Sequence, residues 1–324
     1  MKMTNNQIVE EEHVNEIISL GTDMGKVKEE DTTINIYNGV DRPIAVMIDN
    51  NKSAWPHAGL NEAYMVYEII VEGGESRLMA LFKGKDLEKI GPIRSSRHYF
   101  LDYALENDAI YVHFGWSPQA QSDISTYKVN NINGISESTK DFWRVKDKKA
   151  PHNAVTSTEN ILKMANKKGY RTTSSANSVL NYQKKEVELE EGIVANEIKI
   201  PYSDFNTVSY KYNEETKKYE RYSKGTKQTD WDTEEVVSTK NIIITFAQNY
   251  TLTDKENKGR QGLKNIGDKN GYYITNGKAI EIICSKASRT EKTVYKDLLG
   301  NIINVNDGNT FIQICPIDAE VVIN

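Results

Sequence analysis

Apolar positions along the chain fall in short runs, not long ones. Residues 43–48, Pro-Ile-Ala-Val-Met-Ile, form a continuous apolar run. It is too short for an ordinary helix, so it predicts a strand buried on both faces. The run ends at Asp49-Asn50-Asn51; a helical stretch near 59–63 and a strand at 65–71 follow. Gly73-Gly74, bounded by Glu72 and Glu75, predicts a two-residue turn with a return strand at 76–82. In that register Glu72 faces Glu75 and Arg77 lies opposite Ile70. Glu68, Glu72, Glu75 and Arg77 then share one sheet face. Gly91-Pro92 punctuates a loop, and the residues from Arg94 open a helix running to about Asn107. Residues 109–112 predict a buried strand ending at His113. Ser117-Pro118 opens a further helix with proline near its first position. A polar stretch to about Lys149 closes with Ala150-Pro151-His152-Asn153. Thr156 and Glu159 have capping-box spacing for a helix stopped by Gly169.

This order predicts an α/β N-terminal domain with a mixed sheet over residues 39–180. It follows a polar tail, 1–38, in which Val14, Ile17, Ile18 and Leu20 suggest one short amphipathic helix. Residues 181–200 read as a charged connector. Residues 201–324 change texture to a mostly-β C-terminal domain, α+β overall. There, 208–212 and 219–222 alternate as a tyrosine-rich hairpin. Residues 241–246 form a β-branched strand. Asn276-Gly277 joins a second hairpin, and 301–305 with 310–315 predict a third around Asp307-Gly308.

Length agrees with two domains: 324 residues exceed one ordinary core. A net charge of −5 argues against a nucleic-acid groove as the main function. No run of about 18 apolar residues is present. Residues 1–12 lack the apolar core of a signal peptide, which read literally predicts a cytoplasmic protein, or equally one trimmed of an export signal. No cysteine precedes Cys284, so no lipid-attachment cysteine is expected in this sequence. Cys284 and Cys315 are too few for a disulfide framework and read as buried thiols, with one cross-strand disulfide as the alternative.

Candidate chemistry comes from position. Ligands of open α/β sheets bind outside the carboxyl ends of strands. Asp49, Glu72 and His113 are predicted strand ends, and Arg77 starts a strand returning from the Glu72 end. Arg94, Ser95 and Arg97 would lie in the first turn of a helix, where free N–H groups and guanidinium groups receive anions. His152 and Asn153 form a loop pair able to fold over the same rim, with Trp55 and Trp116 nearby as stacking platforms. Three readings fit: an anion- or glycan-binding cleft, hydrolysis with Glu72 or Asp49 as general acid or base, and a metal site of His113, His152 and Asp49. The metal reading lacks any motif with ligand spacing, and no metal or cofactor is expected. Ordinary ion pairing of these arginines with structural carboxylates is the plainer alternative.

Several segments occur in an order that carries a resemblance. They are Pro43 to Asn50, Glu72-Gly73-Gly74-Glu75-Ser76-Arg77, Gly91-Pro92-Ile93-Arg94-Ser95-Ser96-Arg97, Asp108 to His113 and Ala150-Pro151-His152-Asn153. Tyr219-Glu220-Arg221, Asn241 to Ile244, Gly259-Arg260-Gln261 and Gly308-Asn309-Thr310 continue the series. The chain resembles the YerB-like lipoprotein family of Gram-positive bacteria over about 42–316. The resemblance implies two consecutive domains of unknown function and a lipid-anchored, envelope-facing location. It brings no catalytic residue to transfer. The expected function is therefore an extracytoplasmic binding or accessory protein for a cell-wall or anionic ligand. The β-rich half would serve as a protein-partner module, no nucleic acid is expected, and membrane contact would come only through a lipid anchor. The rivals are an envelope-polymer hydrolase or lyase using Glu72 and Asp49, and a purely structural interaction protein.

Overall fold

The apolar run of residues 43–48 becomes β1 (Ile44–Asp49), all six residues buried, with two strands between it and one edge of a twelve-stranded mixed sheet. The computed structural model describes residues 33–324, so the short helix expected around Val14 to Leu20 lies outside the described residues. The next strands are β2 (Met65–Ile70), β3 (Ser76–Phe82), β4 (Ile110–His113) and β5 (Asn131–Asn133). A separate sheet is built on β6 (Glu197–Ser203), β7 (Asn206–Asn213) and β8 (Lys218–Ser223). The chain then returns to the large sheet with β9 (Asn241–Thr251), β10 (Gly267–Thr275), β11 (Lys278–Lys286), β12 (Val294–Lys296) and β13 (Thr310–Pro316).

The spatial order is β12-β11-β10-β9-β13-β2-β3-β1-β4-β5. Strand β13 runs parallel to both β2 and β9, so one backbone ladder continues from the N-terminal half into the C-terminal half. β1 is parallel to β4 and antiparallel to β3, giving the mixed sheet expected for an α/β region. Because side chains alternate along a strand, the sheet has two apolar faces. One carries Met47, Tyr67, Met79 and Tyr111 and packs on α1 (Phe100–Glu106) through Phe100, Leu101 and Tyr103. The other carries Val46, Val66, Leu78 and Phe311. It is covered by the second sheet through Ile198, Ile200 and Val208 and by α3 (Thr158–Lys167) through Ile161 and Met164. Each face buries aromatic and branched side chains, at roughly 1.5–3 kcal/mol of transfer free energy apiece.

Local chemistry places several elements where expected. Ser117 caps α2 (Pro118–Thr126) by accepting from Ala120 N, with proline at its start. Asn276 and Gly277 both take positive φ in the two-residue turn between β10 and β11, as a primed turn requires. The cap of α3 is Ser157, one residue after the expected Thr156. Cys284 and Cys315 are buried free thiols.

Three expectations are corrected. The Gly73-Gly74 turn is a three-residue 3-10 turn, Glu72–Gly74, closed by Val71 N donating to Glu75 O. Arg77 therefore pairs with Ile69 and Glu68 with Leu78. A one-residue slip reverses faces, so Glu68 and Arg77 lie on opposite sides of the sheet. No helix begins at Arg94: residues 91–97 run as an irregular strap, and α1 starts only at Phe100. The N–H groups of Ile93, Arg94 and Ser96 in the strap donate to Ala154, Met47 and Gly115, and so not within a helical turn. Finally, residues 305–306 pair with 182–183 and β13 joins β2 and β9, so the predicted hairpin around Asp307-Gly308 does not form.

Candidate functional site

The strap from Gly91 to Arg97 is fixed by backbone hydrogen bonds at both of its neighbours. Asp49 N donates to Pro92 O, Arg94 N to Met47 O, Phe114 N to Arg94 O, and Ser96 N to Gly115 O. These bonds stitch it across the carboxyl ends of β1 and β4. Arg94 and Arg97 thus reach the rim of the sheet from a strap and not from a helix dipole. Asp49 ends β1 directly opposite Arg77 on β3. Glu72 follows β2 in the 3-10 turn, and His152 arrives on the loop before α3.

These side chains line one open cavity of about 390 Å³, which also includes Glu75, Ser76, Lys258 and Arg260. Arg97 grips Glu72 with two bonds, Nε to Oε1 at 2.5 Å and Nη2 to Oε2 at 2.9 Å. Arg77 donates from Nη1 to Ser95 O at 2.6 Å and stands 3.9 Å from Glu72. Asp49 Oδ2 meets both His152 Nδ1 at 2.7 Å and Arg94 Nε at 3.3 Å. The backbone of Asp49 is itself anchored, because buried His57 bonds its carbonyl through Nε2 at 2.7 Å. Burial pushes His57 down to about 4, so at neutral pH the ring is uncharged and Nε2 is the donor.

The charges do not balance. At the inner rim three guanidinium groups, Arg77, Arg94 and Arg97, face two carboxylates, Asp49 and Glu72. The outer cations are accounted for elsewhere: Arg260 pairs with Asp254 and Glu256, and Lys258 with Glu256. Glu75 is held by Lys224. Burial pushes Arg77 down to about 10, with the neighbouring Arg97 adding to the effect and Glu72 and Asp49 opposing it. Burial alone would raise the Glu72 carboxyl, but the bonds and charge of Arg97 outweigh it and hold the group below its ordinary value. A carboxylate kept ionised in this way is a poor proton donor.

Not every sequence candidate joins this set. Ser95 contributes its carbonyl to Arg77, while its hydroxyl donates to Phe114 O. His113 is buried in the core, bonded to Gly115 O at 2.8 Å and to Asn131 at 3.2 Å, and Trp116 stacks on it at 5.4 Å. The proposed trio of His113, His152 and Asp49 is therefore not assembled. Among the described residues no group of three or more His, Cys, Asp or Glu side chains is placed to hold a metal ion. Asn153 is buried behind the rim, where it accepts from Arg144 and donates to Val145 O and Lys148 O, bracing the loop that carries His152. Trp55 lines a neighbouring cavity together with Trp231 and His152. Lys258 and Arg260 are cavity residues that strand-end reasoning missed. Their only sequence signal was the Gly259-Arg260-Gln261 segment, far down the chain.

Comparison with known proteins agrees over nearly the whole described region. Residues 32–171 match the family model described as "Protein of unknown function (DUF3048) N-terminal domain", and residues 198–312 match its C-terminal counterpart. The curated protein described as "Putative lipoprotein YerB" from Bacillus subtilis (strain 168) is 32% identical over 273 residues, covering 82% of this chain and 76% of that protein. The crystal structure of the YerB protein from Bacillus subtilis superposes with a TM-score of 0.78 at 30% identity, covering 87% of this chain and 94% of that one.

Proposed function

The chain belongs to the DUF3048 family, and from that premise we propose that it is an extracytoplasmic binding protein of the cell envelope whose rim cavity holds an anionic group. The relative's description as a lipoprotein supports the location. The observation that carries the binding reading is the uncompensated arginine: three guanidinium groups meet two carboxylates in an open cavity. Arginine is suited to such a task because its planar fork bonds carboxylate and phosphate oxygens in pairs. A glycan bearing an anionic substituent satisfies the same geometry. The hydrolase reading is less well supported, since Glu72 is clamped by Arg97 and Asp49 is shared by Arg94 and His152. Glu72, held ionised by Arg97, is not poised to give up a proton.

The test is calorimetric titration of wild type and Arg94→Ala with inorganic phosphate and with soluble cell-wall fragments. Among the described residues Arg94 pairs with Asp49 and is partly exposed, so its removal is expected to leave the fold intact. Saturable binding by wild type, weakened at least ~10-fold in the variant, is expected for the loss of a charge-assisted contact. Equal and negligible heats from both proteins would count against the cavity as an anion site.

A further inference from the structure

The rim cavity does not end at His152. The same side chain lines a second cavity of about 630 Å³, bordered by Trp55, Trp231, Lys52, Lys148 and Lys149. Lysines dominate this second space, and Asp147 is the one carboxylate in its wall. Lys148 is organised by the fold: its ammonium donates to the carbonyls of Trp55 and Pro56 at 2.6 and 3.1 Å and stands 4.0 Å over the Trp231 ring. Lys52 and Lys149 are exposed at its edge. Positive charge thus continues on both sides of one imidazole. The Nδ1 of that imidazole is committed to Asp49.

A single small anion fills only one of these spaces. We infer that the ligand is a linear polyanion, a chain of phosphate or phosphodiester groups, with one end among the arginines and the next charges lying past His152 along Lys52 and Lys149. This rests on the anion-binding reading and extends it to the ligand's class. A base-bearing strand fits less well. The Trp231 ring already carries the ammonium groups of Lys89 at 4.1 Å and Lys148 at 4.0 Å, which leaves Trp55 as the single partly exposed indole for stacking. Sequence-tolerant strand binding needs a succession of aromatic platforms. A neutral glycan would give the exposed Lys52 and Lys149 of the second cavity nothing to pair with.

The probes are orthophosphate, tripolyphosphate, a longer inorganic polyphosphate, a neutral chitin oligosaccharide and an oligothymidylate of matched charge. They are titrated against wild type, Lys52→Ala/Lys149→Ala and Arg94→Ala at constant ionic strength. In wild type, affinity should rise at least ~10-fold from orthophosphate to the longer chain, in line with the salt-sensitive gain from each added charge contact. The double lysine variant should lose that gain while binding orthophosphate as before, and Arg94→Ala should weaken every phosphate probe. Orthophosphate binding with no gain on lengthening would overturn the polyanion and leave the anion site standing. No phosphate binding at all would remove the anion site itself. Tighter binding of oligothymidylate or of the neutral oligosaccharide would overturn the proposed class in favour of bases or sugars.

Discussion

Two arginine–carboxylate clusters sit on opposite faces of the same sheet, built from the same residue types and put to different ends. On the covered face Glu68 and Arg221 meet at 3.0 Å with side chains 0% and 1% exposed, between the large sheet and the second sheet. The stoichiometry there is one to one, and neighbouring polar groups bond one oxygen of Glu68 and one nitrogen of Arg221. Asn50 and Ser76 donate to Glu68 Oε1, and Arg221 donates to the Tyr210 hydroxyl, which Gln313 also reaches. On the rim face three arginines share two carboxylates around an open cavity, with Arg94, Arg97 and Glu72 partly exposed and Arg77 and Asp49 buried beneath them. Burial and charge count, not residue type, separate a structural clamp from a receptor. Asn50 links the two, since it follows Asp49 of the rim and bonds Glu68 of the clamp.

The largest effect expected from this contrast is at the clamp. Arg221→Met leaves Glu68 buried without its ion-pair partner, which should cost about 3–5 kcal/mol in urea unfolding. Replacing both residues by methionine should recover most of that loss, because well-packed apolar substitutes often match a buried pair. If the single variant loses under ~1 kcal/mol, the clamp is solvated and the contrast with the rim disappears.

Next in size is the rim carboxylate. Glu72→Gln removes one negative charge from a cavity already rich in arginine, so phosphate affinity should rise about 3–10-fold. A hydrolase using Glu72 predicts the opposite kind of result, loss of product from a polymer substrate with no gain in binding. Titration and product assay on the same variant therefore sharpen the distinction between receptor and enzyme.

The pH dependence of stability follows with a smaller effect. The folded Glu72 carboxyl lies below its ordinary value because Arg97 outweighs the opposing effect of burial. Its contribution is present at neutral pH and is lost as pH falls through the depressed folded value. Urea midpoints measured from pH 7 down to pH 3 should fall less steeply for Glu72→Gln than for wild type. Parallel acid limbs would show that Arg97 holds Glu72 no better in the folded chain than in the unfolded one.

The legible parts of this fold are those decided by neighbouring residues. The run of residues 43–48 could only be buried on both faces, and β1 is. Ser117-Pro118 and Asn276-Gly277 fixed a helix start and a turn through their own dihedral and capping preferences. The expected helix from Arg94 to Asn107 holds only over Phe100–Glu106, because the strap before it bonds to Met47, Gly115 and Ala154 from elsewhere in the chain. The hairpin slipped by one residue because three loop positions and two look alike when two of them are glycine. At the rim, the loop pair His152-Asn153 supplied His152, and strand-end logic brought forward Asp49, Glu72 and Arg77. It equally brought forward His113, which ends its strand but turns into the core beside Trp116. Nothing local tells those two outcomes apart. Glu68 carried no sequence signal for its clamp because Arg221 arrives on another sheet.

The smallest expected effect is the most discriminating. Arg94 is 26% exposed and contacts Asp49 at 3.3 Å, while Asp49 retains His152 at 2.7 Å when Arg94 is gone. No buried charge is orphaned by Arg94→Ala, and the strap is held by backbone bonds that the substitution does not touch. Stability should therefore change by less than about 1 kcal/mol, the range of exposed ion pairs. A residue serving only as a structural pair partner would show its cost in unfolding and none in ligand titration; a receptor arginine shows the reverse. If Arg94→Ala unfolds at a markedly lower urea concentration than wild type, the rim cluster is a second clamp, and the difference drawn between the two faces of the sheet fails at its weaker end.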